Sequence, residues 1–525
     1  MAISVNQAGS RPIRWWPAWI IWLATLVALV VVRMVDAFPF QQRNLISLGI
    51  GAGSMALTFL WWVLLSRSRW RLRLGVVLGV ALLGAAGVSL FRVVGVTGDL
   101  IPVLGYRWTS KPSSPEPVSA AVSSAAASMA EKDRVRTPYP QFLGPHRDGV
   151  LPGPKLAMNW ETNPPRVLWR RPIGAGWAGF AVAGGMALTL EQHGDHEEVA
   201  SYDAETGEPR WRYSYPARYA TPIGGEGPRT TPTVVSNRVY TLGGTGLLHC
   251  LDLATGSNWW KVDIIAEAQA SVLEWGMAGS PLVENGAVVV CAGGSSGKSV
   301  LAFDALSGAK LWAGGDSHTS YGSPRLATLA GVPQILVFNH RSIASHDPQT
   351  GAVLWEQPWG IGYPLVAMPV LVGTNRVLYS AGYNVGAELF EIEKSAAGLK
   401  PRSVWRSNRL KAKFSNPVLK DGYVYGLDDG ILACIDVRDG ALKWKSGRYG
   451  HGQGLLVGAR YLLMSEHGEL VLLEPTPEGP GRVETFTLFS GKTWNPISLG
   501  GDHLYARTDS EAVCVQLPIE TVATR

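Results

Sequence analysis

The stretch His193-Gly-Asp-His-Glu-Glu198 packs five side chains able to ligate metal, His193, Asp195, His196, Glu197 and Glu198, into six positions. Imidazoles and carboxylates are the donors that zinc and related divalent ions take. Ligands also need a fixed frame, and this run lies between two apolar segments, so it reads as a solvated hairpin tip. A second stretch, Ala292-Gly-Gly-Ser-Ser-Gly-Lys-Ser299, invites a phosphate-loop reading. It lacks glycine at the first position, and Val300-Leu-Ala-Phe-Asp304 after it is strand-like where a helix is required. The four cysteines, Cys250, Cys291, Cys434 and Cys514, are scattered singly. G-x-S-x-G and H-E-x-x-H are absent, so neither the serine-hydrolase elbow nor the zincin motif is present.

The elements that carry these stretches repeat. A small residue, an aspartate two positions on, a Thr-Gly, Ser-Gly or Asp-Gly turn and a tryptophan recur in "SYDAETGEPRW" (201–211), "CLDLATGSNWW" (250–260), "AFDALSGAKLW" (302–312), "SHDPQTGAVLW" (345–355) and "CIDVRDGALKW" (434–444). Degenerate units lie at 388–405 and 469–489, and an eighth ends at 512–517. Periods of about 40–50 residues made of short strands predict propeller blades. The aspartate accepts backbone N–H groups at the turn and the glycine takes positive φ. The small residue suits a strand between neighbouring blades, and the tryptophan, ending the next strand, wedges against the next blade. Cys250, Cys434 and Cys514 occupy the small-residue slot and Cys291 ends another strand. Equivalent positions in different blades are too far apart to bridge.

Thr231-Pro232, Ser280-Pro281, Ser323-Pro324, Met368-Pro369, Asn416-Pro417 and Asn495-Pro496 each precede an apolar run, which marks the innermost strand of each unit. "PPRVLWRRP" (164–172) has a tryptophan strand with no unit before it, and the last unit lacks one. The N-terminal strand is therefore expected to complete the last blade and close the ring. The fold class is all-β: an eight-bladed β-propeller closed by an N-terminal strand, preceded by three transmembrane α-helices.

Those helices are expected at about 15–32, 45–65 and 74–91, each near the length that crosses a bilayer. Arg67, Arg69, Arg71 and Arg73 place the second connection in the cytoplasm. The N-terminus then also lies inside, and everything after residue 92 outside, as in a multi-pass protein of a bacterial inner membrane with a periplasmic propeller. Residues 1–137 hold 14 Lys+Arg against 5 Asp+Glu, leaving 33 against 36 in the remainder. The basic character thus belongs to the membrane end, and a nucleic-acid partner is not expected. Residues 1–108 read as the anchor, 109–137 as a flexible Pro/Ser/Ala spacer, and 138–525 as the propeller.

The Asp-x-x-Thr-Gly-x-x-x-Trp unit resembles the pyrroloquinoline-quinone (PQQ) repeat of quinoprotein alcohol dehydrogenase-like propellers. "YPQFLGPHRDGV" (139–150), "GEGPRTTPTV" (225–234), "SGKSVLAFDALSG" (296–308) and "SEHGELVLLEPTPEG" (465–479) resemble more closely a bacterial branch of exported PQQ-like repeat proteins. The resemblance implies two functions. One is that of PQQ- and calcium-dependent dehydrogenases, which oxidise alcohols or sugars and here would reduce membrane quinone. The other is a non-enzymic module like the propeller lipoprotein of the outer-membrane barrel-assembly machinery, with a periplasmic protein or small ligand as partner. The adjacent cysteines of soluble quinoprotein dehydrogenases are missing, as they are from the family's membrane glucose dehydrogenases. "WAGFAV" (177–182) replaces the usual Ser-Pro start of a unit.

The residues just before the inner strands should rim a central funnel: Arg229, Thr230, Trp275, Ser280, Tyr321, Ser323, Asn416 and Trp494. By the resemblance, Arg229 would hold a quinone carboxylate and Trp275 or Trp494 would stack on a flat ring. The alternative is structural, with Arg229 bridging blade carbonyls and the aromatics plugging the channel. A binding or scaffold module is the leading expectation, because little inserted sequence is available to roof an active site.

Overall fold

The computed structural model describes residues 13–35, 38–108 and 138–520. The expected spacer, 109–137, lies outside the described residues. The chain divides into two compact units, 1–111 and 112–525.

The first unit holds α1 (Trp16–Met34), α2 (Phe40–Leu65) and α3 (Trp70–Leu90). All three are long and apolar enough to cross a membrane. They outrun the apolar segments of the sequence, so that Arg33 stands in the last turn of α1. Leucine side chains face outward along all three, joined by valine and tryptophan on α1 and α3. Between α1 and α2, Thr25 Oγ1 donates to Ser54 Oγ at 2.8 Å and Trp22 Nε1 to Thr58 Oγ1 at 3.2 Å. A two-stranded antiparallel hairpin that the sequence reading missed follows α3 directly: β1 (Phe91–Val96) and β2 (Pro102–Tyr106).

The second unit is an eight-bladed β-propeller. Blades 1 to 6 are antiparallel four-stranded sheets at 181–216, 233–263, 282–314, 325–358, 370–407 and 418–448. Blade 7 (453–487) carries an added parallel strand, β3 (Val150–Leu151). Blade 8 has three strands at 498–516 and takes its fourth, β4 (Arg166–Pro172), from before blade 1. The ring therefore closes by exchange of one strand, as its unpaired tryptophan predicts.

The repeat explains how blades join. Ser201, Cys250, Ala302, Ser345, Cys434 and Cys514 are fully buried. In the turn after it, Asp252 Oδ1 accepts from the backbone N–H of Ala254 and Thr255 and from the Thr255 hydroxyl, at 2.8–3.0 Å. Each tryptophan then lies on the turn of the following blade. Trp169, Trp211, Trp260, Trp312 and Trp405 donate Nε1–H to the carbonyls of Ala204, Leu253, Ala305, Pro348 and Val437, at 2.9–3.2 Å. Gly207, at φ 73°, faces Trp169 so closely that a Cβ would sit 2.6 Å from the indole. That glycine is fixed twice, by conformation and by close approach. Trp355 is the exception: blade 5 has a long hairpin in place of the turn, and the indole donates to Gln334 Oε1 of its own blade at 2.7 Å. These tryptophans sit inside their strands, as Trp211 does in Pro209–Pro216, so they do not end them as expected. Facing the next blade requires a paired, fixed backbone on both sides.

Two further readings are corrected. Cys291 lies inside the strand Ala287–Gly294 instead of ending it. The 193–198 run is only partly solvated. Asp195 is exposed, but Glu197 is buried and accepts from Tyr215 Oη at 2.9 Å and Gly244 N–H at 3.0 Å. Strand alternation turns every second residue of this hairpin into the seam between blades. All four cysteines are buried and none is in a disulfide. Gly294 and Lys298 pair across a strand hairpin, which disposes of the phosphate-loop pattern.

Candidate functional site

The central channel differs at its two ends. Toward one end, the segment 139–151 packs against the inner strands and the residues that lead into them. Tyr139 and Val182 exchange backbone hydrogen bonds at 2.9 and 2.7 Å, and Val234 N–H donates to Pro140 O at 2.8 Å. The Tyr139 hydroxyl reaches Ile497 O at 3.4 Å. Buried Arg147 donates to Ser280 O and Pro281 O, both at 2.9 Å, and to Gln141 Oε1 at 3.1 Å. Asp148 lies 3.9 Å from buried Arg325, and Leu456 N–H donates to Gly149 O at 2.7 Å. This strap so touches blades 1, 2, 3, 4, 7 and 8. Burial presses the Arg147 guanidinium down to about 9, with Arg325 adding to the effect. Its two Nη nitrogens are nevertheless taken up by Ser280 O, Pro281 O and Gln141 Oε1.

Where the inner strands begin, the proline-preceding residues form a belt. Gly179 N–H donates to Thr231 Oγ1 at 3.2 Å, Thr231 N–H to Ser280 Oγ at 3.0 Å, and Ser280 N–H to Ser323 Oγ at 2.9 Å. Met368 N–H donates to Asn416 Oδ1 at 2.8 Å, and Asn495 Nδ2 to Gly176 O and Ala178 O at 3.1 and 2.9 Å. A proline cannot donate to a neighbour, so the residue before it does. Ser280, Ser323 and Asn416 are buried, and their side-chain oxygens hold blade to blade. Thr230 is buried as well and donates to Leu242 O at 2.5 Å.

Above the belt lies an aromatic mouth. Trp177 and Trp494 are 5.1 Å apart, and Trp494 and Phe414 5.5 Å. Tyr363 stacks on Tyr383 at 4.9 Å and 7°, and Trp275 meets Tyr321 at 5.7 Å. Three cations lie on these rings: Lys492 Nζ is 3.8 Å from the Trp494 ring and 4.7 Å from Trp177, Lys413 Nζ 5.0 Å from Tyr383, and the Arg229 guanidinium 5.2 Å from Tyr219. The structure thus gathers Arg229, Trp275, Tyr321 and Trp494 at the mouth and puts Ser280, Ser323 and Asn416 in the belt beneath.

Arg229 bridges carbonyls. It donates to Trp275 O, to Gly224 O at 2.9 Å and to Gly227 O at 3.3 Å. Burial lowers its guanidinium to about 10. Burial also lowers Lys492, with Asp509 and Glu466 opposing. Glu466 is buried and accepts from Trp494 Nε1 at 2.8 Å and His451 N–H at 3.0 Å. Calcium takes six to eight oxygens, carboxylates prominent among them. Among the described residues no three His, Cys, Asp or Glu side chains gather into a group able to hold a metal ion. The donor set that a calcium-dependent quinone chemistry needs does not fit this mouth.

Trp177, Lys413, Phe414, Tyr363, Tyr383 and Lys492 were missed as site residues. A signal for some of them is present: Trp177, Arg229, Tyr321 and Phe414 each stand two residues before the belt position of their blade, at 179, 231, 323 and 416.

Residues 195–446 match the family model described as "Outer membrane protein assembly factor BamB". That match falls on the very blades whose turns and tryptophans repeat. The chain is a propeller of PQQ-like repeats. BamB from Moraxella catarrhalis, a solved structure, shares 16% identity with this PQQ-like propeller at a TM-score of 0.50, over 67% of this chain and 100% of that one. Quinohemoprotein alcohol dehydrogenase from Comamonas testosteroni shares 13% at 0.53, over 74% and 82%. Likeness at these identities is one of fold. No curated protein matches the chain.

Proposed function

We propose that this PQQ-like propeller is a non-catalytic binding module held at a bacterial inner membrane. Residues 1–108 form the anchor, 109–137 the spacer and 138–525 the propeller on the extracytoplasmic side. The observation that carries the reading is how the channel is filled. The strap closes one end, the belt consumes the polar side chains, and what remains at the mouth is aromatic faces with ammonium groups seated on them. Such a surface binds by stacking and cation–π contact, and the carboxylate beside it, Glu466, is buried and accepts from Trp494 Nε1 and His451 N–H. Its ligand is a protein segment or small molecule bearing aromatic and anionic groups. An outer-membrane assembly factor is among the similar folds, which agrees with a protein partner.

The dehydrogenase reading keeps one observation in its favour, since partly exposed Lys492 and Trp494 together suit a flat polyanion. The test is titration of PQQ, with and without calcium, into the full-length protein in detergent, following tryptophan fluorescence and dye reduction over alcohols and sugars. Calcium-independent quenching without turnover is expected, and Lys492→Gln should weaken it. Calcium-dependent binding with dye reduction would overturn the module reading and establish a quinoprotein dehydrogenase.

A further inference from the structure

The hairpin after α3 exposes the apolar side chains of one face. Its register pairs Phe91 with Tyr106 and Val93 with Leu104, so these four side chains share one face. They are 36%, 56%, 62% and 61% exposed, and Trp108 just beyond is 74% exposed. The other face carries Arg92 opposite Gly105, with Val94 and Val103 beside them, 55% and 37% exposed. A two-stranded sheet is marginal in water by itself, and an open apolar face of this kind marks an interaction surface.

Its position says what covers it. Phe91 is the residue after α3, and Arg107 N–H donates to Leu90 O at 2.9 Å, so the ladder continues from the helix end. The tip is tied back to the helices. Asn44 Nδ2 donates to Asp99 O at 3.2 Å, and Asn44 Oδ1 accepts from Arg33 Nη1 at 3.0 Å. The hairpin thus lies beside the α1–α2 connection, at the end where Arg33, Arg43, Arg92 and Arg107 gather. Open strand edges are not tolerated in hydrocarbon, because their N–H and C=O groups need partners. Apolar side chains are not stable in bulk water. Only the headgroup zone satisfies both, and it is also where tryptophan, tyrosine and arginine settle.

We propose that this hairpin is a lipid-binding element that lies in the headgroup zone of the bilayer, with Phe91, Val93, Leu104, Tyr106 and Trp108 facing the acyl chains and the arginines meeting lipid phosphates. It rests on the three helices spanning that bilayer, and the test separates the two claims. The full-length protein is placed in dilute proteoliposomes with a bimane label at Leu104→Cys, at Leu82→Cys in α3, or at Asp195→Cys on the propeller. The four native cysteines are buried and give little background. Trp108→Cys serves if Leu104→Cys does not insert. Quenching is read with nitroxide lipids labelled at the headgroup or at mid-chain. The hairpin label should lose more fluorescence to the headgroup nitroxide, the Leu82 label more to the mid-chain one, and the Asp195 label little to either. A hairpin label quenched by neither lipid, with the Leu82 label quenched at mid-chain, overturns the hairpin proposal and leaves the helices in place. A Leu82 label quenched by neither overturns both.

Discussion

The two ends of the propeller channel are built on opposite principles. At the strap end the chain contributes Tyr139 and Arg147, both almost without exposure, and most of their hydrogen bonds go to backbone groups of the inner strands or of the residues that lead into them. At the mouth, Arg229 apart, the side chains contact one another, ring against ring and cation against ring, and over buried Trp177, Tyr383 and Lys413 the side chains of Trp275, Tyr321, Phe414, Lys492 and Trp494 stay half-buried. The difference separates a part that holds eight blades together from a part free to meet a ligand. Substitutions at the strap should therefore cost stability and leave binding intact, and substitutions at the mouth the reverse.

The largest effect is expected from Tyr139→Ala. It removes a fully buried ring from the cluster where the strap meets blades 1 and 8, and should cost about 3–5 kcal/mol in urea unfolding. An unchanged midpoint would mean that the strap is an ornament of the channel and that the comparison fails. Arg147→Met comes next. It keeps the packed stem but takes the guanidinium donor from Ser280 O, while Pro281 O keeps the Thr233 hydroxyl at 2.7 Å. An orphaned buried carbonyl costs about 1–3 kcal/mol, offset in part because a buried charge is removed. If Arg147→Met proves more stable than the native protein, the strap cation serves something other than blade closure.

How far this contrast was legible in the sequence follows from the same residues. The eight blades, the closing strand and the tryptophan seams could be read because each rests on local chemistry repeated several times. One aspartate turn is weak evidence and five are not. Tyr139 and Arg147 appear once, and their partners lie as far along the chain as Ile497, so no period reveals them. The belt was half visible. Its prolines marked the inner strands, but the partners of Ser280 and Ser323 are set by blade geometry, and those residues looked like ligand groups. The hairpin at 91–106 was hidden because its valines extend the apolar run of α3, and periodicity does not separate a short apolar strand from the end of a helix.

A pH series sharpens the comparison at the layer under the mouth. Glu191 is buried, and burial alone would raise its carboxyl. Hydrogen bonding from His193, the charge of Arg507 and hydrogen bonds from Tyr202 and Gly174 N–H instead hold it down to about 2. Gly174 begins the loop that carries Trp177, and Arg507 fixes the same loop through Gly174 O at 2.8 Å. A carboxylate depressed on folding adds stability that is complete above its unfolded value near 4.5 and is lost as pH falls toward about 2. Unfolding midpoints should therefore drop across that window, and Glu191→Gln should flatten the drop while lowering stability at neutral pH. A drop of the same size in the variant would assign the acid sensitivity to other carboxylates.

The smallest effect on stability is expected at Lys492→Gln, and that smallness is the point. Lys492 is only partly buried, and its ammonium lies over the Trp494 and Trp177 rings. A cation–π contact of this exposure is worth about 0.5–1 kcal/mol, and removing a cation whose charged form is already disfavoured by burial offsets part of the loss. The urea midpoint should hardly move. Titration with a flat polyanion followed by tryptophan fluorescence should respond much more, because the same ammonium is the group at the mouth that meets both indoles. If Lys492→Gln destabilises the fold as much as Arg147→Met does, the mouth is a second structural clasp, and the ligand surface must be sought outside the channel.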